Sequence, residues 1–237
     1  MKILGIESSS LVASVAIVTD GLLTAEYTVN HKKTHSQTLL LMLDEIVRMT
    51  EQELETIDAV AVSGGPGSFT GLRIGAATAK GLGLALQKPL IHVPTVDAMA
   101  YNLYGCPDLI CPIMDAKRGQ VYTGIYTFEQ DFQTIKENTA IALEELLDEL
   151  VRLGRPVVFL GDGVPVGKER IQNVLKDQAR FAPAHCNRQR AASVAALGSV
   201  YFAEGKAEPA EDFVPSYLRV SQAERVRAEK EAASRKA

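Results

Sequence analysis

The chain has 237 residues, and its 25 Lys and Arg against 29 Asp and Glu leave a formal net charge of −4. The 46% hydrophobic fraction excludes a wholly disordered chain, and the length is compatible with one large domain or two smaller ones. No stretch is long and apolar enough for a membrane span, and no signal peptide is expected. Mild acidity argues against independent binding of nucleic acid over a broad surface. Three cysteines without a CxxC pair predict a reducing, cytoplasmic environment.

The first half of the chain predicts a set of strands followed by alternating helices and strands. Strands are expected at residues 3–6, 12–18 and 22–29, and Asp20-Gly21 between the last two is a typical tight hairpin turn. Thr34 and Gln37 form a capping-box pattern before a helix at 39–49. The remaining elements expected here are strands at 57–62 and 90–93 and helices at 71–86 and 96–103.

Composition changes at Gly105-Cys106-Pro107, which we interpret as a domain boundary. Beyond it the pattern predicts strands at 109–114, 120–128, 134–136 and 157–160, and helices at 143–153, 167–176 and 191–203. Strands and helices that alternate in this way twice predict an α/β fold with mixed sheets. The expected divisions are an N-terminal lobe at 1–104, a C-terminal lobe at 105–222, and a charged helical or disordered tail at 223–237.

A glycine-rich loop, SGGPGSFTG at 63–71, stands between a predicted strand and a predicted helix. A helix N-terminus attracts anions, so a nucleotide contact is one interpretation. The loop lacks the Gly-Lys-Ser/Thr of a Walker A motif, and the next strand lacks the acid that a dinucleotide fold uses to bind ribose. The alternative, which we favour, is a structural turn whose glycines allow tight bending.

Two acids and two histidines are the candidates for chemistry. Glu7 and Asp115 each end an apolar strand, where kinases and ATPases hold metal or water, although turn acids are common without any chemistry. His31 and His35 are four residues apart, as metal ligands on one helix face would be. Because the capping pattern places His31 before the helix, we expect solvated or capping histidines and no metal site.

The two long helices of the first half carry more apolar residues than one buried face requires. Residues 39–43 are apolar without a break, and small residues recur every four positions at Gly75, Ala79 and Gly83. Small residues let helices approach closely, and apolar surface left over after intrachain packing marks a partner site. The alternative is that a second domain or a sheet covers both faces of the helices within the chain.

Several motifs together resemble the TsaB (YeaZ) family. They are ILGIESS at 3–9, SVA at 14–16, HS at 35–36, SGGPGSFTGLRIG at 63–75 and PSYLR at 215–219. The match spans roughly residues 1–222, and the glycine-loop string is its most specific part. The family's usual Asp in the first turn is Glu7 here. The resemblance implies an actin/hexokinase-like (ASKHA) fold of two related lobes.

The resemblance also implies a role without catalysis. The catalytic sister subunit of the family, TsaD, carries a metal-binding His-x3-His, and alignment on Pro89 and Val93 places those positions at Thr95 and Met99. Neither residue replaces imidazole at a metal centre. We therefore expect no catalytic residue, metal or cofactor in this chain, with ATP and metal belonging to the partner subunits. Vestigial nucleotide contacts are expected at Glu7, Ser8, Gly65 and Gly67.

The implied function is that of a dimerisation subunit. It would bind and support TsaD, with TsaE, in threonylcarbamoylation of the adenosine beside the anticodon of tRNAs that read codons starting with A. Alone it would form a homodimer, and tRNA would be contacted only through the complex. The partner surface is expected on the two helices, at Leu39, Met42, Leu43, Ile46, Met49, Arg73, Gly75, Ala79, Leu82 and Gly83. The rival hypotheses are an autonomous ATP-dependent kinase or hydrolase that uses Glu7, the glycine loop and Asp115, and a metallopeptidase built on His31 and His35.

Overall fold

The computed structural model describes residues 1–32 and 34–218; the predicted tail at 223–237 lies outside the described residues. Eleven strands and six α-helices are found in this part of the chain. The strands are β1 (Lys2–Glu7), β2 (Val12–Thr19), β3 (Leu22–Asn30), β4 (Ala59–Gly65), β5 (Leu90–Pro94), β6 (Leu109–Asp115), β7 (Gln120–Thr127), β8 (Gln133–Ala142), β9 (Val157–Leu160), β10 (Ala179–Phe181) and β11 (Ala207–Glu208). The helices are α1 (His35–Thr50), α2 (Phe69–Leu86), α3 (Thr95–Tyr101), α4 (Leu143–Leu153), α5 (Val164–Leu175) and α6 (Ala191–Ala203).

The strands form two mixed sheets with the same internal order. The first sheet runs β11-β5-β4-β1-β2-β3 and the second runs β10-β9-β6-β7-β8. In each, three consecutive strands form an antiparallel meander, a fourth strand pairs in parallel with the first of them, and a fifth pairs in parallel with the fourth. The first sheet is extended by β11, which is antiparallel to β5. The α/β prediction with two related lobes is therefore confirmed. Most predicted elements lie within two or three residues of their observed bounds.

Local turn chemistry explains how the first sheet begins. Asp20 and Gly21 both have positive φ, at 50° and 79°, the pattern of a hairpin turn that matches strand twist. At the start of α1, the predicted side-chain cap of Thr34 is wrong. The Thr34 carbonyl accepts a hydrogen bond from the Gln37 amide, and the Thr34 hydroxyl makes no capping bond.

Helices α3 and α6 cross between the lobes. Helix α6 packs on β1, β2 and β4 of the first sheet, where Val194 and Leu197 join the core around Ile3. Helix α3 packs against β6 and β7 of the second sheet, while it also touches β4 and β5. Helix α6 follows the strands of the second lobe in sequence but covers the first sheet, and α3 follows strands of the first lobe but covers the second sheet.

This crossing corrects the predicted domain division. The predicted boundary near Gly105 lies in the segment between α3 and β6. Residues from 191 onwards, however, return to the first lobe, because α6 packs on its sheet and β11 pairs with β5, with Ala207 opposite Ile91. A linear reading of the chain assigns elements by sequence neighbourhood, whereas long-range pairing decides which sheet they join. None of the helices within 1–32 and 34–218 has the length and hydropathy to cross a membrane.

Candidate functional site

A cleft of about 650 Å³ opens between the lobes, at the ends of β1, β4 and β6. Its first-lobe wall is the Ser9–Ser10 turn and the N-terminus of α2, where Ser68 accepts a hydrogen bond from the Gly71 amide at 3.3 Å. Its second-lobe wall is the turn that follows β6. The volume is in the range that small-molecule sites occupy, so the side chains and backbone atoms on its walls decide what it can bind.

Backbone atoms of the same chain occupy the space next to the glycine loop. The amide of Ser68 donates to the Ser9 carbonyl at 2.6 Å, and the amide of Ser216 donates to the Gly64 carbonyl at 2.7 Å. A Cβ added at Gly65, which has a φ of 116°, would collide with the carbonyl oxygen of Ser216, and one added at Gly67 would collide with that of Ser9. Carbonyl oxygens repel phosphate, so these contacts favour the structural interpretation of the loop.

Glu7 is buried and does not line the cleft. It is 1% exposed, and its Oε1 accepts a hydrogen bond from the Ser9 amide at 2.6 Å. Burial raises the pKa of Glu7 to about 7, against hydrogen bonds from Ser9 and Ser63 that lower it. Of the four predicted nucleotide contacts, only Gly67 lines the cleft, since Glu7 and Ser8 are buried and Gly65 faces Ser216.

The second-lobe wall combines acids and bases. Asp115 forms an ion pair with Lys117 at 2.6 Å. Burial opposes the ionisation of Asp115, but the hydrogen bonds and charge of Lys117 outweigh it and lower the pKa of Asp115. Asp162, across from it, is more deeply buried, and burial raises the pKa of Asp162. The acid best placed to hold a cation is therefore already paired with a lysine of its own turn.

The histidine positions do not form a metal site. His31 is exposed before α1, whereas His35 is buried at the start of α1, and a nitrogen of its ring, Nε2, lies 2.8 Å from the Ser10 carbonyl. Thr95 and Met99, at the positions of the sister subunit's histidines, are buried on α3. Their hydroxyl and thioether suit a hard or borderline divalent ion poorly, so these residues do not fit the metal that the resemblance implies for the catalytic sister subunit.

The predicted partner surface requires a correction. Seven of its ten residues are buried within this one chain, because α1 and α2 both pack on the sheet: Leu39, Met42, Leu43, Ile46, Gly75, Ala79 and Gly83. The row of small residues Gly75, Ala79 and Gly83 allows this close packing on the sheet. A Cβ at Gly75 would collide with the Ser8 hydroxyl, so this row brings α2 close to the sheet and not to a partner. Substitution of Leu43 or Gly75 by Arg would therefore disrupt the core.

The outward sides of the same two helices remain open. We define the helix-pair face as the exposed residues Leu40, Leu41 and Met49 of α1 and Arg73, Ala77, Gly81 and Leu84 of α2. Leu41 is 70% exposed and Met49 is 69% exposed. A Cβ at Gly81 meets no atom within 4 Å, so this glycine leaves open space on the surface. Met49 and Arg73 are among the partner residues predicted from the sequence, and Leu82 is half-buried beside the face.

A C-terminal strap, residues 211–218, extends this face along one flank of α2. Lys80 of α2 donates to the carbonyl oxygens of Glu211 at 2.8 Å and Phe213 at 3.2 Å. Phe213 is buried against the His92 ring, and Tyr217 contacts the Phe69 ring with centroids 5.0 Å apart. The strap thus joins the helix pair to the mouth of the cleft.

The sequence analysis included Arg73 but none of the other outward positions of α2, and it assigned no structural role to the strap. The strap has no periodic pattern, and its contacts join residues more than 100 positions apart. A signal for the outward positions did exist: Arg73, Ala77 and Gly81 follow one another at four-residue spacing, as one face of a helix does. The sequence alone did not show which of two such faces was buried.

Comparison with known proteins gives the family. The chain is 32% identical to the tRNA threonylcarbamoyladenosine biosynthesis protein TsaB of Bacillus subtilis, over 94% of this chain and 96% of that one. It is 33% identical to the TsaB of Escherichia coli, over 92% of this chain and 95% of that one. The chain belongs to the TsaB family. The family model described as TsaD, tRNA N6-adenosine threonylcarbamoyltransferase, matches residues 23–226, so TsaB is part of a wider group that includes this transferase.

Length separates the two branches of that group. A tRNA N6-adenosine threonylcarbamoyltransferase of Kosmotoga olearia is 30% identical, but the match covers 71% of this chain and only 55% of the transferase. The TsaB proteins of Bacillus subtilis and Escherichia coli match over nearly their whole length. The transferase is therefore a longer protein that shares part of its sequence with the TsaB chain.

Solved structures show the same fold. YeaZ from Pseudomonas aeruginosa superposes with a TM-score of 0.75 at 23% identity, covering 92% of this chain and 99% of that one. A ROK hexokinase from Thermus thermophilus has a TM-score of 0.51 at 11% identity, over 86% of this chain and all of that one. The predicted actin/hexokinase-like fold of the TsaB chain is confirmed.

Proposed function

We propose that this chain is a non-catalytic partner subunit of a tRNA threonylcarbamoyltransferase. It would bind and support TsaD, together with TsaE, in modifying the adenosine beside the anticodon of tRNAs that read codons starting with A. The observation that carries the proposal is the full-length match to proteins named for tRNA threonylcarbamoyladenosine biosynthesis, against a half-length match to the transferase. ATP and metal would belong to the partners, and tRNA would be contacted only through the complex.

The site geometry supports a scaffold. The glycine loop is closed by the carbonyls of Ser9 and Ser216, and Glu7 lies outside the cleft lining. The helix-pair face, in contrast, presents large apolar side chains beside small residues that leave space for them. Stable interfaces bury roughly 1,000 Å² or more around an apolar centre, and the exposed sides of two adjacent helices can supply it. We therefore assign the partner surface to this face, and the same face would pair two copies when the chain is alone.

The proposed location is the cytoplasm. Cys106, Cys111 and Cys186 are all free thiols, as is usual in reducing compartments. Burial raises the pKa of Cys111 to about 12, so this thiol stays protonated and inert at neutral pH.

Mixing experiments test the assembly. The chain combined with TsaD, at micromolar concentration, is expected to elute from gel filtration with the mass of a hetero-complex measured by light scattering. The chain alone is expected to show the mass of two copies at high concentration. TsaE is expected to join only when both other subunits are present. A chain that remains a separate peak beside TsaD would contradict the proposed function.

The rival hypothesis, an autonomous ATP-dependent kinase or hydrolase, has its own test. Because Glu7 does not line the cleft and Asp115 is paired with Lys117, we expect the purified chain alone to release no phosphate from ATP above the buffer rate. The measurement is phosphate release with Mg²⁺, compared with the Asp115→Asn variant. Turnover by the wild-type chain that disappears in this variant would favour the rival.

A further inference from the structure

A buried carboxylate receives hydrogen bonds from elements of both lobes. Asp97, in the first turn of α3, is 9% exposed. Its Oδ1 accepts from the hydroxyl of Tyr126 at 2.6 Å and from the side-chain amide of Asn138 at 2.8 Å. Its Oδ2 accepts from the hydroxyl of Tyr201 at 3.3 Å. Hydrogen bonds to a charged acceptor are stronger than those between neutral groups, and they become more so away from water.

We use the word hinge for the junction of the two lobes, which α3 and α6 cross. The three donors come from opposite sides of this hinge. Tyr126 lies on β7 and Asn138 on β8, both strands of the second sheet. Tyr201 lies on α6, the helix that packs on the first sheet. Asp97 itself lies on the helix that crosses between the lobes. A rotation of one lobe against the other would have to lengthen at least one of these bonds.

Neighbouring contacts hold the same helix along its length. The Tyr126 ring stacks on Phe132, with centroids 5.3 Å apart and planes 10° from parallel. Phe132 in turn meets the ring of Tyr101, near the end of α3, edge to face at 5.6 Å. Asn102, directly after α3, donates to the Arg188 carbonyl at 2.7 Å, in the loop before α6. Helix α3 is thus held at both ends.

We propose that the hydrogen bonds to Asp97 fix the hinge. The two lobes of this chain then keep the same relative orientation whether or not the cleft or the partner surface is occupied. Two-lobed proteins that close around a ligand need a hinge that is free to bend. Here a lobe rotation would leave a buried carboxylate short of donors, which costs more than any single neutral hydrogen bond. This rigidity does not depend on which partner the chain binds.

The test measures the distance between the lobes directly. Spin labels are attached at Leu22→Cys on β3 and Glu145→Cys on α4, both exposed, in a Cys106→Ser background that removes the half-buried thiol. Labelled protein is diluted into unlabelled protein, so that only distances within one molecule are read by pulsed EPR. Labelled protein with the wild-type hinge residues is expected to give one narrow distribution of distances between the two labels.

The double variant Tyr126→Phe, Asn138→Ala removes both second-lobe donors and keeps the stacked ring. It is expected to add a second, longer-distance population, on the order of a tenth of the molecules or more. Tyr104→Phe is the matched control, because it removes an exposed hydroxyl from the same aromatic cluster and should leave the distribution unchanged.

A folded double variant with the wild-type distribution would overturn the proposal, even if its melting temperature were lower, because that result assigns Asp97 a stabilising role only. Should the double variant fail to fold, Tyr126→Phe alone, which removes one hydroxyl, is judged by the same criterion.

Discussion

Leu41→Arg is expected to weaken binding of this chain to TsaD about a hundredfold, or roughly 3 kcal/mol, because a charge would replace a central apolar contact of the helix-pair face. Gly81→Arg is expected to act similarly by filling the open space on α2. Both positions are exposed in the single chain, so both variants should keep the wild-type fold and melting behaviour. Binding is measured by titration calorimetry with purified TsaD.

Leu22→Arg provides the matched control. Leu22 on β3 is 70% exposed, as Leu41 is, but it lies outside the helix-pair face. It should bind TsaD with wild-type affinity. Equal loss of affinity in Leu22→Arg and Leu41→Arg would show that added charge, and not the assigned surface, causes the effect. Wild-type affinity in both Leu41→Arg and Gly81→Arg would remove the partner surface from these helices.

Glu7→Gln is expected to make the chain more stable above neutral pH. The carboxyl has a pKa near 4.5 when unfolded and about 7 when folded, so it ionises first in the unfolded chain. Stability is therefore lost as the pH rises from 4.5 to 7 and stays reduced above that range. Gln keeps an oxygen for the hydrogen bonds from Ser9 but does not ionise. At pH 8 its advantage in unfolding free energy should be about 3 kcal/mol, and at pH 5 less than about 1 kcal/mol.

Urea unfolding at both pH values checks this prediction. Glu145→Gln, an exposed position on α4, is the control for the general removal of one acid. If Glu7→Gln and the wild type show parallel pH dependence, Glu7 is not the buried, reluctantly ionised group described above. The result also bears on function, because an acid that is half protonated near neutrality and shielded from the cleft is a poor metal ligand for ATP chemistry.

Much of the fold could be predicted because its signals are local. The hairpin at Asp20-Gly21 follows from two residues that tolerate positive φ, and α4 begins and ends where its apolar periodicity does. The position of α6 could not be predicted in the same way. Its apolar residues indicate a buried helix but carry no information on which of two sheets it covers, and long-range packing placed it on the first.

The sequence by itself determined the family, the α/β class and the two helices on which the partner surface is proposed. Motifs, periodicity and turn residues are properties of neighbours along the chain, and they remain readable without coordinates. Only the tertiary structure decided which sides of those helices are free. The core takes whichever face packs most tightly on the sheet, so Gly75 and Ala79 were buried while Ala77 and Gly81 were left outward. The carbonyls that close the glycine loop and the donors around Asp97 were likewise decided by contacts between distant residues.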